Sequence, residues 1–214
     1  MKKMFFVSTG RCGTKRMYEI LTNTLPNNFS VVHQMKYSRM ANIIGNYSLY
    51  NHHFKLVIEL FFHKILKNYD TKDFFISTDP LTSHIIPKNF ILDRNVSIIH
   101  IKRDCEQFAH SMYSLSRSRG RSYIAHNLIP LWQPGLWPLE NTLNPKIIEK
   151  YKKIHRLKNE LFEKKYKFNS NYLQIEMENF FSSNILQKLI FDHFGYSIKI
   201  APAALKIKSN ESTH

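Results

Sequence analysis

Several residue types and patterns are scarce in this chain of 214 residues, and each scarcity excludes something. There are only two cysteines, Cys12 and Cys105, and they lie far apart, so neither a structural disulfide nor a C-x-x-C motif is expected. The histidines show no H-E-x-x-H spacing, and we predict no metal site. No apolar run approaches the about 20 residues of a transmembrane helix. The apolar N-terminal run is too short for a secretory signal, so we expect a cytoplasmic protein.

Acidic residues are also scarce. Sixteen Asp and Glu stand against 31 Lys and Arg, which gives a formal net charge of +15. Such a surplus favours an anionic partner: a nucleotide, a sulfated or phosphorylated substrate, nucleic acid or an anionic membrane face. The basic residues are spread along the chain without a helix-turn-helix, zinc-finger or RNA-recognition signature. We therefore expect no specific nucleic-acid partner, although a nucleic-acid-binding protein is an alternative on charge alone.

Short apolar runs alternate with segments of helical periodicity, which predicts βαβ units and a three-layer α/β sandwich around a mostly parallel sheet. A hydrophobic content of 43% fits one folded domain, which we place at residues 1–205, with a polar tail at 206–214. The segment 116–138 is rich in Arg, Trp and Pro and is predicted to cover a binding site. The predicted strands are Met4–Ser8, Phe29–His33, Phe74–Ser77, Val96–Ile101 and Tyr172–Ile175.

The first strand is followed by a turn that contains Gly10 and Gly13 and then by a helical segment. A strand, a glycine turn and a helix start together form an anion cradle, because free backbone N–H groups and the positive end of the helix converge there. Arg11, Lys15 and Arg16 add positive charge. The spacing G-x-x-x-x-G-K-S/T is absent, so this is not a Walker A loop.

A second basic position follows the fourth strand. Arg103 lies at its end, and Ser111 follows eight positions later within a predicted helix over Cys105–Arg117. Ligands of open parallel sheets bind beyond the carboxyl ends of the strands. Arg103 and Ser111 are therefore candidates to bracket a second phosphate beside the glycine turn.

Together these segments resemble the sulfotransferases that use 3′-phosphoadenosine 5′-phosphosulfate, which have a P-loop-like nucleotide-binding fold. The segment 8–14 is similar to their 5′-phosphosulfate loop, and 98–113 to their 3′-phosphate motif. A weaker similarity to the family covers 172–180, and Phe194-Gly195 resembles the residues at which the last helix of the family ends. The resemblance runs in order from about residue 4 to 196.

The resemblance implies that Arg11, Cys12, Gly13, Thr14 and Lys15 hold the phosphosulfate. Arg11 would also neutralise the transferring sulfuryl group, and sulfuryl transfer, like phosphoryl transfer, depends on positioning and cations. Arg103 and Ser111 would grip the 3′-phosphate. The donor would be the cofactor, no metal would be needed, and the acceptor would be a small molecule, a carbohydrate or a lipid.

The acceptor needs a general base, which the family supplies as a histidine after the third strand or a glutamate after the second. Here Asp79 stands near the first position and His33 near the second. His33 is our first choice because the ordinary pKa of histidine suits proton transfer near pH 7. Asp79 is the second.

The chain departs from the family in lacking the late Arg-Lys-Gly segment that completes the nucleotide site. Arg117, Arg119 or Arg121 are candidates to replace it. Two alternative functions stay open: a P-loop-like nucleotide-binding protein or kinase, and an inactive sulfotransferase-like binding protein.

Overall fold

All five predicted strands form, and in the computed structural model they make one sheet in which every neighbouring pair is parallel. The structure describes residues 1–48, 55–69, 72–117, 147–182 and 184–201. The strand order is β2-β3-β1-β4-β5. The strands are β1 (Lys2–Val7), β2 (Phe29–Val32), β3 (Phe74–Ser77), β4 (Val96–Lys102) and β5 (Tyr172–Glu176).

The central strands β1 and β4 consist mainly of apolar and β-branched residues because both of their faces are covered. Six of the seven residues of β4 are buried, as in parallel sheets with helices on either side. In the register, Phe5 of β1 lies between Ser77 of β3 and Ile98 of β4. Phe5 and Phe6 are each 1% exposed and point to opposite faces of the sheet.

Eight helices are described in these ranges, and most follow the predicted periodicity. The prediction for Cys105–Arg117 is confirmed, and Gly195 ends the last helix in the left-handed conformation, with φ 76°. The helices are α1 (Thr14–Thr24), α2 (Ser38–Ser48), α3 (Lys55–Lys67), α4 (Lys88–Leu92), α5 (Cys105–Arg117), α6 (Ile147–Tyr166), α7 (Met177–Ser182) and α8 (Ile185–Phe194).

The helices form the two outer layers, so the predicted three-layer α/β architecture is confirmed. On the side of Phe6, helices α1, α7 and α8 pack against the sheet through one apolar cluster. On the side of Phe5, a second cluster joins the sheet to α2, α3, α4 and α6. Helix α5 packs on α6, where Phe108 and Met112 meet Tyr151 and Ile154.

The chain reverses its direction of winding at β1. Strands β3 and β2 lie on one side of it, and β4 and β5 lie on the other. The crevice beyond the carboxyl ends of the strands at such a reversal is where open α/β sheets bind ligands. Within the described ranges, no helix combines the length and apolarity that crossing a bilayer requires. Arg119, Arg121 and the tail 206–214 lie outside the described residues.

Candidate anion site at the carboxyl ends of the strands

The segment after β1 is a tight loop held in an unusual backbone conformation. Gly10, Arg11 and Gly13 all have positive φ angles, of 90°, 57° and 70°. This conformation costs a residue with a Cβ about 1–2 kcal/mol. The loop therefore holds Arg11 in a backbone conformation that an arginine does not favour by itself. The Ser8 hydroxyl accepts a hydrogen bond from the backbone N–H of Gly10 at 3.2 Å and braces the turn.

Gly13 is also required by packing. A Cβ built at Gly13 would lie 2.5 Å from the Phe181 ring of α7, so the loop backbone and α7 approach as closely as a glycine permits. The same ring carries the guanidinium of Arg16, 4.7 Å from its centroid. Helix α7 therefore fixes the loop from the outer side.

Helix α1 begins directly from this loop. Gly13 occupies the N-cap position and has no side chain with which to cap the helix, and the first turn contains no acidic residue. The first backbone N–H groups of a helix have no partner within the helix, and together with the helix dipole they attract an anion. Gly13, Thr14 and Lys15 all line the cavity described below.

Two arginines meet on this loop. Arg11 Nε donates to Ser111 Oγ on α5 at 3.0 Å, and Arg103 Nη1 donates to the backbone oxygen of Arg11 at 2.8 Å. Burial lowers the pKa of Arg11, and the positive charge of Arg103 lowers it further. Like charges held this close are stabilised by an anion. In addition, Arg103 Nε is buried and has no hydrogen-bond partner among the described residues.

The remaining loop residues predicted to bind the donor differ in what they present. The Cys12 thiol is fully buried in the apolar cluster beneath α1, and burial raises its pKa to about 11, so only its backbone is available to a ligand. The Lys15 side chain is exposed and lies 3.8 Å from Glu19. Its charge is therefore screened by solvent.

A cavity of about 270 Å³ opens against this loop, slightly smaller than the about 300–1,000 Å³ of sites for drug-sized ligands. Arg103, Ser111 and Asp79 are not among the residues that line it. It is lined by Ser8, Thr9, Gly10, Arg11, Gly13, Thr14, Lys15, His33, Gln34, Asn42, Pro80, Leu81, His84, Met112, Leu115 and Lys158.

His33 faces the cavity from the end of β2. Its Nδ1 lies 3.0 Å from the backbone oxygen of Thr78, and because a carbonyl only accepts, Nδ1 carries the proton. Nε2 is then the basic nitrogen. The ring stacks on Tyr18 of α1, with 5.8 Å between the centroids. His33 is thus held in the tautomer that a general base requires.

Asp79 is placed differently. Its carboxylate accepts hydrogen bonds from the backbone N–H of Met35 and of Leu81, each at 2.9 Å, and caps the 3-10 turn Pro80–Thr82. Burial raises the pKa of Asp79, while the two backbone hydrogen bonds and His33 act in the opposite direction. This carboxylate joins the end of β3 to the segment after β2 and thereby helps to place His33.

Sequence reasoning missed two groups that line the cavity, Lys158 and His84. A helix as rich in lysine as α6 is expected to present its lysines to solvent, but Lys158 is 2% exposed. A signal was present: Lys158 follows Ile154 by four residues and precedes Phe162 by four, which is the spacing of the buried stripe. Burial, reinforced by Lys158 and Lys165, lowers the pKa of His84 well below its ordinary value.

Behind the loop, a buried chain of hydrogen bonds ends on the backbone of Arg103. His155 Nε2 donates to the Arg103 oxygen at 2.9 Å, and Asn159 Nδ2 donates to His155 Nδ1 at 2.7 Å. The Asn159 oxygen accepts from His100 Nε2, and His100 Nδ1 accepts from the Tyr172 hydroxyl, both at 2.9 Å. Burial lowers the pKa of both histidines to about 4, so both are neutral at pH 7 and the direction of every bond is fixed.

Comparison of the chain with protein-family models, with curated proteins and with solved structures finds no match.

Proposed function

We propose that this protein is a sulfotransferase that moves a sulfuryl group from 3′-phosphoadenosine 5′-phosphosulfate to a hydroxyl or amine of a small-molecule, carbohydrate or lipid acceptor. The observation that carries the proposal is one cavity that is bordered by the start of α1, by Arg11 and by His33. The Nδ1 of His33 carries the proton, which leaves Nε2 able to accept one. An anion-binding helix start and a base facing it are the two parts that in-line transfer needs.

The residues fit an anionic phosphosulfate group. The loop backbone from Gly10 to Gly13 is in the left-handed region at three positions, and successive N–H groups in such turns form concave anion sites. No Asp or Glu is found among the described residues that line the cavity. Two arginines approach each other closely here, and Arg103 Nε finds no hydrogen-bond partner in the part of the chain that the structure describes; both observations favour the binding of negative charge.

Arg11 has the central role in this proposal. When bound, the donor supplies an activated sulfuryl group whose departure leaves charge on the phosphate side. The Arg11 guanidinium and the first N–H groups of α1 stabilise that charge. Arg103 and Ser111 hold Arg11 through its backbone oxygen and its Nε, so both position the loop, and Arg103 also adds positive charge.

His33 is the proposed general base. Nε2 accepts the proton of the acceptor as the new oxygen–sulfur or nitrogen–sulfur bond forms, and Nδ1 stays hydrogen-bonded to Thr78. Stacking on Tyr18 restricts the rotation of the ring. A base held within one rotamer contributes about 10²–10⁴-fold to such a step.

The test follows the label of ³⁵S-phosphoadenosine phosphosulfate in the presence of pooled sugars, lipids and phenols. We expect the wild type to form labelled products and adenosine 3′,5′-bisphosphate. The variant His33→Gln keeps a polar side chain but lacks the base, and its transfer rate should be lower than that of the wild type by about 10²-fold or more. Turnover by the wild type no faster than by Arg11→Ala would contradict the proposal. Transfer of phosphate from ATP would instead favour a kinase.

A further inference from the structure

A second cavity lies on the Phe5 side of the sheet, between α3, α4 and the end of α6. Its volume is about 770 Å³, which falls within the about 300–1,000 Å³ typical of sites for small ligands. Three of its lining residues, Ile58, Ile91 and Phe162, belong to the buried apolar cluster of that side. The described residues that line it are Ile58, Glu59, His84, Ile86, Pro87, Lys88, Ile91, Leu92, Leu161, Phe162, Lys164, Lys165 and Phe168.

Most of this lining is aliphatic or aromatic. Leu92 and Phe168 are 57% and 66% exposed, so part of the apolar lining stays in contact with water, and an apolar ligand that covered it would be stabilised. No Ser, Thr, Asn, Gln or Tyr is among the described residues that line the cavity. Burying the hydroxyl groups of a sugar or a nucleoside without hydrogen-bond partners is costly. The lining therefore favours a hydrocarbon chain.

The charged side chains of the lining are mainly positive. Lys88 begins α4, and Lys164 and Lys165 lie in the last turn of α6. Glu59 is the single acidic residue among the described ones that line the cavity. Lys165 donates to the backbone oxygen of His84, whereas the side chains of Lys88 and Lys164 are exposed. Lysines beside an apolar cavity favour a ligand that also carries negative charge.

We propose that this cavity binds a free fatty acid, with the hydrocarbon chain against the apolar lining and the carboxylate beside Lys88 and Lys164. A carboxylate is a small head group that brings no hydroxyl groups of a sugar or glycerol, which suits a described lining without hydroxyl or amide side chains. His84 lines both this cavity and the anion site, so the two cavities are neighbours. The inference goes beyond the sulfotransferase proposal and does not depend on it.

The hydrocarbon chain is expected to contribute more to the affinity than the head group. Each methylene group that is fully buried raises the affinity about fourfold. An exposed ion pair contributes up to about fivefold, because solvent and salt screen it. A ligand held in this way therefore shows a steep dependence on chain length and a smaller dependence on charge.

The experiment is calorimetric titration of the protein with octanoate, decanoate and dodecanoate below the concentrations at which they form micelles. Leu92→Glu places a carboxylate in the lining at an exposed position, where folding should be retained. Phe191→Glu is the matched control, because Phe191 is also 57% exposed but lies on α8, on the opposite side of the sheet. Arg11→Ala tests whether the fatty acid binds at the anion site instead. Urea unfolding checks that each variant folds.

The head group is tested with decanol, which has the chain of decanoate without the charge. The double variant Lys88→Met/Lys164→Met removes the two exposed lysines of the lining. Its control is Lys188→Met/Lys199→Met, which removes two exposed lysines that do not line the cavity. We expect the first double variant to bind decanoate about fivefold more weakly than the control, and both variants to bind decanol equally.

We expect the affinity of the wild type to rise about fourfold for each methylene group. Leu92→Glu should bind dodecanoate at least tenfold more weakly, and Phe191→Glu and Arg11→Ala should match the wild type. An affinity that is independent of chain length, an equal loss in Leu92→Glu and Phe191→Glu, or a loss in Arg11→Ala would overturn the inference.

Absence of binding by all three fatty acids would also overturn it. If the wild type then forms a dimer in sedimentation equilibrium that Leu92→Glu dissociates, the cavity is an interface between two copies of the chain. None of these results depends on turnover or on binding of the bisphosphate, so a failure of this inference is distinguishable from a failure of the sulfotransferase proposal.

Discussion

Replacing Gly13 by alanine tests the geometry on which the anion site depends. Two costs add. Alanine at φ 70° is held in the left-handed region, which costs about 1–2 kcal/mol. Its Cβ would also lie 2.5 Å from the Phe181 ring, and overpacking of this kind costs about 1–3 kcal/mol. We therefore expect Gly13→Ala to lower the free energy of unfolding by about 2–5 kcal/mol.

The ring cannot move away without loss. Phe181 packs edge-on against Phe180, with 5.1 Å between the centroids, and carries the Arg16 guanidinium on its face. A shift large enough to admit a methyl group would disturb both contacts. The clash is therefore expected to appear in the measured stability.

Gly10→Ala is the matched control. Gly10 also has a positive φ angle, of 90°, but nothing lies within 4 Å of a Cβ built there, so only the backbone cost of about 1–2 kcal/mol applies. Urea unfolding would measure both variants, and the double variant Gly13→Ala/Phe181→Leu should recover part of the difference. Equal destabilisation by Gly10→Ala and Gly13→Ala would refute the close packing of α7 on the loop.

Two further predictions concern Arg103 and the histidines behind it. Arg103→Ala removes the hydrogen bond to the Arg11 backbone and should lower the affinity for adenosine 3′,5′-bisphosphate at least tenfold, as measured by calorimetry. The control is Arg94→Ala, which replaces an exposed arginine. Equal affinities of the two variants would contradict the role of Arg103. His155 has a pKa of about 4, below its ordinary value, so its stabilising effect is complete above about pH 6.5 and is lost as the pH falls towards 4, by up to about 3 kcal/mol. His155→Gln should flatten urea-derived stability over that interval, and an unchanged slope would show that His155 is not buried neutral.

Much of the fold could be predicted from local patterns. The run at Val96–Ile101 is apolar nearly throughout because both faces of β4 are covered, and Gly195 marks the end of α8 because only a residue without a Cβ adopts that cap at no cost. Helix α7 was not predicted, since six residues are too few to show a helical period. Ser182 or Ser183 would suit the N-cap of the last helix by residue type, but the N-cap of α8 is Asn184.

The candidate site could be predicted only in part. The loop after β1 carries its own signal in Gly10 and Gly13, whereas its position at the reversal of the sheet depends on the strand order, which only the structure shows. The contact between Arg11 and Ser111 joins residues 100 positions apart, and no local pattern encodes such a pairing. Lys158 was missed because α6 contains many lysines, and the single lysine on its buried stripe is hard to distinguish from the exposed ones by sequence.

The most direct test of the central claim, that the loop binds a 3′-phosphorylated adenosine nucleotide, is thermal unfolding with and without adenosine 3′,5′-bisphosphate. A ligand at a hundred times its dissociation constant adds about 2.7 kcal/mol, and each kcal/mol shifts the midpoint of a protein of this size by about 2–4 °C. We expect a rise of about 5–11 °C with the bisphosphate, which Arg103→Ala reduces. No rise with the bisphosphate, or a larger one with ATP and magnesium, would contradict the account.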